Sequence, residues 1–176
     1  MPSFIQNFDT KLLFCIQNSL HNSLMDKLMM FFTFLGDGSL IWIVICIVSI
    51  CTKKYRRAGL MGICALILST LISEYIVKLI VQRPRPFEIY TYTLLIPAPG
   101  GYSFPSSHTA ESFAAAGILF KSVKNYGFLF VILALLISFS RLYLFVHFPS
   151  DVLAGAIIGM ACSAVTCCVF KPLKKA

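Results

Sequence analysis

Tyr126–Phe170 reads YGFLFVILALLISFSRLYLFVHFPSDVLAGAIIGMACSAVTCCVF, and its pattern decides the fold class. Two apolar runs flank a short polar junction. Each run approaches the ~20 residues that an α-helix needs to cross the hydrocarbon of a bilayer. The first predicts a helix from Tyr126 to about Phe145. Pro149 suits the first turn of the next helix, which continues to Phe170. Ser140, Arg141, His147 and Asp151 stand at the junction. Polar groups beside lipid cost free energy unless they act together.

The rest of the chain has the same character. Of 176 residues, 58% are hydrophobic and 12% charged, and the mean hydropathy is +0.83. That composition predicts an all-α polytopic membrane bundle of five to six transmembrane helices in one domain, residues 1–176. The net charge of +8 does not point to nucleic acid. The basic residues sit in short clusters between apolar runs, where they orient the spans and meet anionic headgroups. The expected partners are membrane lipids and no nucleic acid. Seven cysteines lie mostly in apolar stretches without a CxxC or a Cys/His ligand spacing, so they read as small hydrophobes. The first twenty residues lack the basic segment and apolar block of a cleavable signal peptide.

Residues 4–20 mix apolar and polar groups at helical spacing and predict an amphipathic helix lying in the membrane interface. Residues 28–51 are interrupted at Gly36-Asp37-Gly38. They fit one broken span, or a re-entrant helix followed by a tilted one. Residues 58–81 form the next span, which Pro84 and Pro86 end near Gln82. A Pro/Gly/Tyr-rich segment, 83–106, precedes a span starting at about Ser107 and running to Phe120. Basic groups at 53–57, 121–124 and 171–175 alternate with the spans and are assigned to the cytosol. Residues 78–108 and 141–151 then face outside. Arg83 is read as a headgroup contact, and Tyr90, Tyr92 and Tyr102 as an interfacial aromatic belt.

Three fragments share that outer face. Lys78 and Arg85 flank the end of a span and can converge on one anion, the arginine through its planar fork and the lysine as a point charge. Pro105-Ser106-Ser107-His108 enters the next helix, whose first N–H groups and dipole favour an anion. His147 and Asp151 are four residues apart, close enough for the carboxylate to orient the imidazole. The residue types suit holding a phosphate while one histidine attacks and the other protonates the leaving group. The spacing does not say which histidine attacks. Glu74 and Glu111, one turn from Lys78 and His108, read as structural pairing groups.

The three fragments together resemble the signature of the type 2 phosphatidic acid phosphatase (PAP2) superfamily, K-x6-R-P, P-S-G-H and S-R-x5-H-x3-D. Lys78, Arg85 and Pro86 match the first part, and Ser140, Arg141, His147 and Asp151 the third. Ser107 replaces the glycine of the second. The resemblance implies a PAP2/haloperoxidase-like helical core and a phosphatase with no cofactor and no metal. It implies His147 as the nucleophile forming a phosphohistidine, Asp151 as its partner, and His108 as the acid and then the base. Lys78, Arg85, Ser106, Ser107 and Arg141 would bind the phosphoryl oxygens. The expected protein is a bacterial cytoplasmic-membrane lipid phosphatase resembling undecaprenyl pyrophosphate phosphatase, its site facing outside. Phosphatidylglycerophosphate and phosphatidic acid are alternative substrates. A non-catalytic lipid-phosphate transporter is the alternative of another class, and a vanadate haloperoxidase a third.

Overall fold

The computed structural model describes residues 2–123 and 125–170, and these are helical with no strands. The chain opens with α1 (Ser3–Leu20), followed by α2 (Ser23–Gly36). A 3-10 turn, Asp37–Ser39, leads into α3 (Leu40–Cys51). Next, α4 (Arg56–Thr70) passes through a π-helical stretch, Leu71–Val77, into α5 (Lys78–Val81). A single turn, α6 (Pro86–Ile89), interrupts the loop that follows. The chain ends with α7 (Ser107–Ser122), α8 (Gly127–Tyr143) and α9 (Pro149–Val169). The basic tail at 171–175 and Lys124 lie outside the described residues.

Ser23–Cys51, Arg56–Ile89 and Pro149–Val169 are long and apolar enough to cross a membrane, and Gly127–Tyr143 is a shorter apolar helix. The interruption at Gly36-Asp37-Gly38 leaves α2 and α3 as two helices on one apolar stretch. Asp26 meets Tyr143, Thr33 meets Arg141, and Gly36 abuts Ile137. α2 therefore runs antiparallel to the C-terminal half of α8, while α3 packs on α4.

The middle of the bundle is α7, packed against α4, α8 and α9. Its Ala110, Ala114, Ala115 and Ala116 are fully or almost fully buried. Small residues let backbones approach where lipid supplies no hydrophobic drive between helices. α9 answers with Gly155 and Gly159. A Cβ at Gly159 would lie 2.2 Å from the Ala110 carbonyl, and one at Gly155 2.5 Å from that of Ser106. Trp42 of α3 fills the adjoining core and donates from Nε1 to Ser112 Oγ at 2.9 Å.

The helix ends predicted at Gln82, Ser107 and Pro149 agree with the structure. Gln82 adopts a left-handed φ of 48° and stops α5 before Pro84. Two local features differ from the expectation. Within the span read as one α-helix, the Lys78 N–H reaches Ser73 O, an i→i−5 bond that widens the turn carrying Glu74. Within the loop, Pro86 at the first position and the Glu88 carboxylate on the Arg85 N–H, 2.7 Å, close the extra turn α6. The cysteines also divide: Cys46 and Cys162 are buried, whereas Cys15, Cys51, Cys64 and Cys168 lie on the outer surface of the bundle.

Candidate active site

The three fragments meet at one end of the bundle. Arg85 reaches from the start of α6 into the turn between α8 and α9. Its Nη1 lies 3.0 Å from Val146 O and 3.2 Å from His147 Nε2. Its Nε and Nη2 donate to the carbonyls of Gly101 and Gly100. The Ser106 N–H, at the entry to α7, donates to Asp151 O at 3.0 Å. Left-handed Phe145, φ 60°, turns the chain so that Val146 and His147 point inward.

His147 is almost wholly buried. An arginine N–H can only donate, so the Arg85 contact makes Nε2 the acceptor and leaves the proton on Nδ1. Nδ1 faces Asp151 Oδ2 at 3.7 Å and Ser103 Oγ at 3.5 Å. Ser103 Oγ donates to the same Oδ2 at 2.6 Å, as does the Phe148 N–H at 2.8 Å. Asp151 therefore addresses the ring partly through Ser103. Burial pushes the His147 imidazole down to about 3; Asp151 opposes that shift, and the charges of Arg85 and Arg141 add to it. The ring is neutral at physiological pH, with the Nε2 lone pair engaged by the Arg85 guanidinium.

Arg83 corrects the reading from sequence. It is no headgroup contact: it is buried, and its guanidinium ties four groups together. Nη1 donates to Asp151 Oδ1 at 2.6 Å and Ser150 Oγ at 2.8 Å, and Nη2 donates to Asp9 Oδ2 and Gln6 Oε1, both at 2.7 Å. The plane lies over the Phe148 ring, 3.9 Å from its centroid. Asp9 also accepts from the Ser150 N–H at 2.9 Å. The buried face of α1 thus carries Asp9, Leu13 and Gln17, while Phe4 and Phe8 point outward. Tyr90 and Tyr92 hydrogen-bond to Thr10 and Gln17 of the same helix. Their aromatic-belt reading missed that docking role.

His108, at the start of α7, bonds Asp37 through Nε2 at 2.8 Å. Sequence reading treated Asp37 only as part of a helix break. The expected pairing of the two membrane carboxylates is present: Lys78 Nζ donates to Glu74 at 2.6 Å, and Glu111 accepts from Ser39 at 2.5 Å and Thr70 at 2.8 Å. Arg141 donates to Thr33 and its buried Nε has no partner. The buried Ser107 Oγ is likewise without a partner. Ser106 Oγ accepts from Thr109 at 3.0 Å and does not cap α7 through its side chain. Among the described residues neither Arg85 nor Arg141 has a carboxylate at ion-pair distance. A cavity of about 430 Å³ opens beside His108, Arg141 and Asp37, walled by Met30, Phe34, Ile96 and Pro97.

Residues 59–175 match the PAP2 superfamily. The chain belongs to that superfamily. It is 33% identical over 147 residues to undecaprenyl-diphosphatase BcrC of Bacillus subtilis, covering 81% of this chain and 73% of that protein. It is 32% identical over 174 residues to lipid A 4'-phosphatase of Bacteroides thetaiotaomicron, covering 90% and 75% respectively. The crystal structure of Aquifex aeolicus LpxE superposes with a TM-score of 0.79 at 29% identity, covering 89% of this chain and 93% of that one. The protein is an integral membrane PAP2 phosphatase, and phosphate hydrolysis is its reaction class.

Proposed function

We propose that this PAP2 member removes the terminal phosphate of a lipid pyrophosphate, undecaprenyl pyrophosphate to undecaprenyl phosphate, through a phosphohistidine on His147. The observation that carries the reading is the buried positive charge beside His147 Nε2. Arg85 and Arg141 are 3% exposed each and lack carboxylate partners among the described residues. Buried cations in that state favour an anionic ligand. A phosphoryl group held there draws the Arg85 Nη1–H away from Nε2 and meets an imidazole already in the attacking tautomer. In this reading Lys78, Arg85, Arg141, Ser107 and the N–H groups at the start of α7 hold its oxygens, Ser106 completing that entry. The charge that gathers on those oxygens during transfer is stabilised by donors already in place.

Attack by Nε2 forms the N–P bond as the P–O bond to the leaving group breaks. His108 gives that oxygen a proton, then takes one from the water that hydrolyses the phosphohistidine. Asp151 stabilises the cationic His147 ring that attack creates. The apolar wall of Met30, Phe34 and Ile96 beside His108 suits the first part of a lipid tail. The undecaprenyl-diphosphatase relative supports the choice of substrate. The alternation of basic loops supports a cytoplasmic-membrane protein whose site faces outside.

The test is phosphate release by purified protein from undecaprenyl pyrophosphate, phosphatidylglycerophosphate and phosphatidic acid in detergent, wild type beside His147→Ala. Turnover is expected on the polyprenyl substrate, to be lost in the variant by at least about a thousandfold, and unchanged by EDTA. Acid-labile label on His147 after a quench identifies the intermediate. Preference for a glycerolipid would move the substrate within the same mechanism. Folded protein inactive on all three lipids would overturn this choice of substrate.

A further inference from the structure

We propose that Asp37 is the positioning residue of His108, a second carboxylate–imidazole pair on the leaving-group side of the site. This rests on His108 as the acid and base of the reaction proposed above. Asp37 Oδ1 is 2.8 Å from His108 Nε2, closer than Asp151 comes to His147. The two residues are 71 positions apart in sequence, so the pair is made by the fold.

The turn that presents Asp37 is built for a fixed position. A Cβ at Gly36 would stand 2.8 Å from His108 Cδ2 and 2.8 Å from Ile137 Cγ2, so only glycine lets α2 end against the imidazole face. Gly38 and Ser39 then take successive left-handed conformations, φ 56° and 58°. At Ser39, a residue with a side chain, that conformation costs about 1 kcal/mol. Ser39 Oγ is anchored on buried Glu111, which Thr70 of α4 also holds. The strained turn is thus fastened to α7 and α4, one helical turn below His108.

The chemistry follows from the bond. The carboxylate accepts the Nε2 proton, fixes the ring plane and favours the imidazolium that a general acid must be. Nδ1 makes no hydrogen bond among the described residues and is the nitrogen left for the leaving oxygen. As the P–O bond breaks, that oxygen's electron pair takes the Nδ1 proton, and the Nε2 proton stays on the now neutral ring, hydrogen-bonded to Asp37. Water attack on the phosphohistidine returns a proton to Nδ1. Asp37 touches neither phosphorus nor leaving group in this scheme and acts through His108.

Leaving-group dependence tests it. Full-length protein in detergent is mixed in single turnover with an alkyl phosphate, whose leaving oxygen needs a proton, and with a nitrophenyl phosphate of similar tail, whose leaving oxygen does not. Phosphoenzyme formation is followed for wild type, Asp37→Asn, Asp37→Glu, His108→Ala and the Asp37→Asn/His108→Ala double variant. Asp37→Asn is expected to slow transfer from the alkyl phosphate at least about tenfold, to change the nitrophenyl rate less than about threefold, and to add nothing to His108→Ala. Asp37→Glu recovers part of the rate. Equal slowing on both phosphates, or a loss additive to that of His108→Ala, overturns the proposal, as does an unaffected Asp37→Asn beside a slow His108→Ala. A fast His108→Ala on the alkyl phosphate is a different failure, because it removes the acid role of His108 itself.

Discussion

At the scale of single residues, the site sets apart two imidazoles of identical chemistry. His147 is enclosed, bonded by Arg85 on Nε2 and backed by Ser103 and Asp151 on Nδ1. Its depressed titration keeps it neutral, so an unfolded chain binds a proton there that the folded one refuses. Stability from this group is complete above pH ~6.5 and falls as pH drops from there towards about 3. Imidazole nitrogen shifts in labelled, ligand-free protein are expected to show His147 neutral from pH 7 down to 5, and a midpoint near 6.5 would show that the ring is not shielded. Ser107 stands where the superfamily signature has glycine, and its buried Oγ has no protein partner. Ser107→Ala is expected to weaken vanadate inhibition by about fivefold, the worth of one hydrogen bond to the bound oxyanion. Unchanged inhibition would confine that position to its backbone N–H.

At the scale of elements, α1 is the piece whose sequence says least about its task. Its polar positions read as the wet face of an interfacial helix, yet Asp9 is fully buried against Arg83 and Ser150. Arg83 passes that hold on to Asp151, so α1 acts as a clamp on the carboxylate behind His147. Asp9→Ala leaves a buried guanidinium short of one partner, at a cost of about 3 kcal/mol. The expected outcome is a lower unfolding temperature in detergent, faster amide exchange throughout α1 and reduced turnover. Normal exchange in α1 with normal turnover would refute the clamp.

For the whole molecule, charge placement and tertiary contacts agree on two ends. Lys54 and Tyr55 line a cavity of about 400 Å³ with Ser122, Asn125 and Tyr126, so the two basic loops share one end of the bundle. Lys121 approaches Cys167 of α9 at 3.9 Å there. Arg85, His147 and Asp151 gather elsewhere, beside Gly100 and Gly101. A cysteine introduced by Gly100→Cys in a cysteine-free background is expected to react with an impermeant maleimide on intact cells. Lys54→Cys is expected to react only after permeabilisation, and the reverse pattern would invert the proposed orientation.

The helical class and most helix ends were legible along the chain, and the resemblance to the superfamily signature named the groups proposed to meet a phosphate. Apolar run length, proline and the positions of Lys78, Arg85, His108, Arg141, His147 and Asp151 are all local properties, readable along the chain. How those groups are held came from the packing of helices distant in sequence. Asp37 finds His108 across 71 residues, Asp9 finds Arg83 across 74, and Ser103 comes between His147 and Asp151. None of these contacts leaves a period or a spacing in the sequence. Burial is what makes them necessary: a charged group taken out of water must be paired, and its partner is whichever polar side chain the packing of α1, α2 and α7 brings within reach.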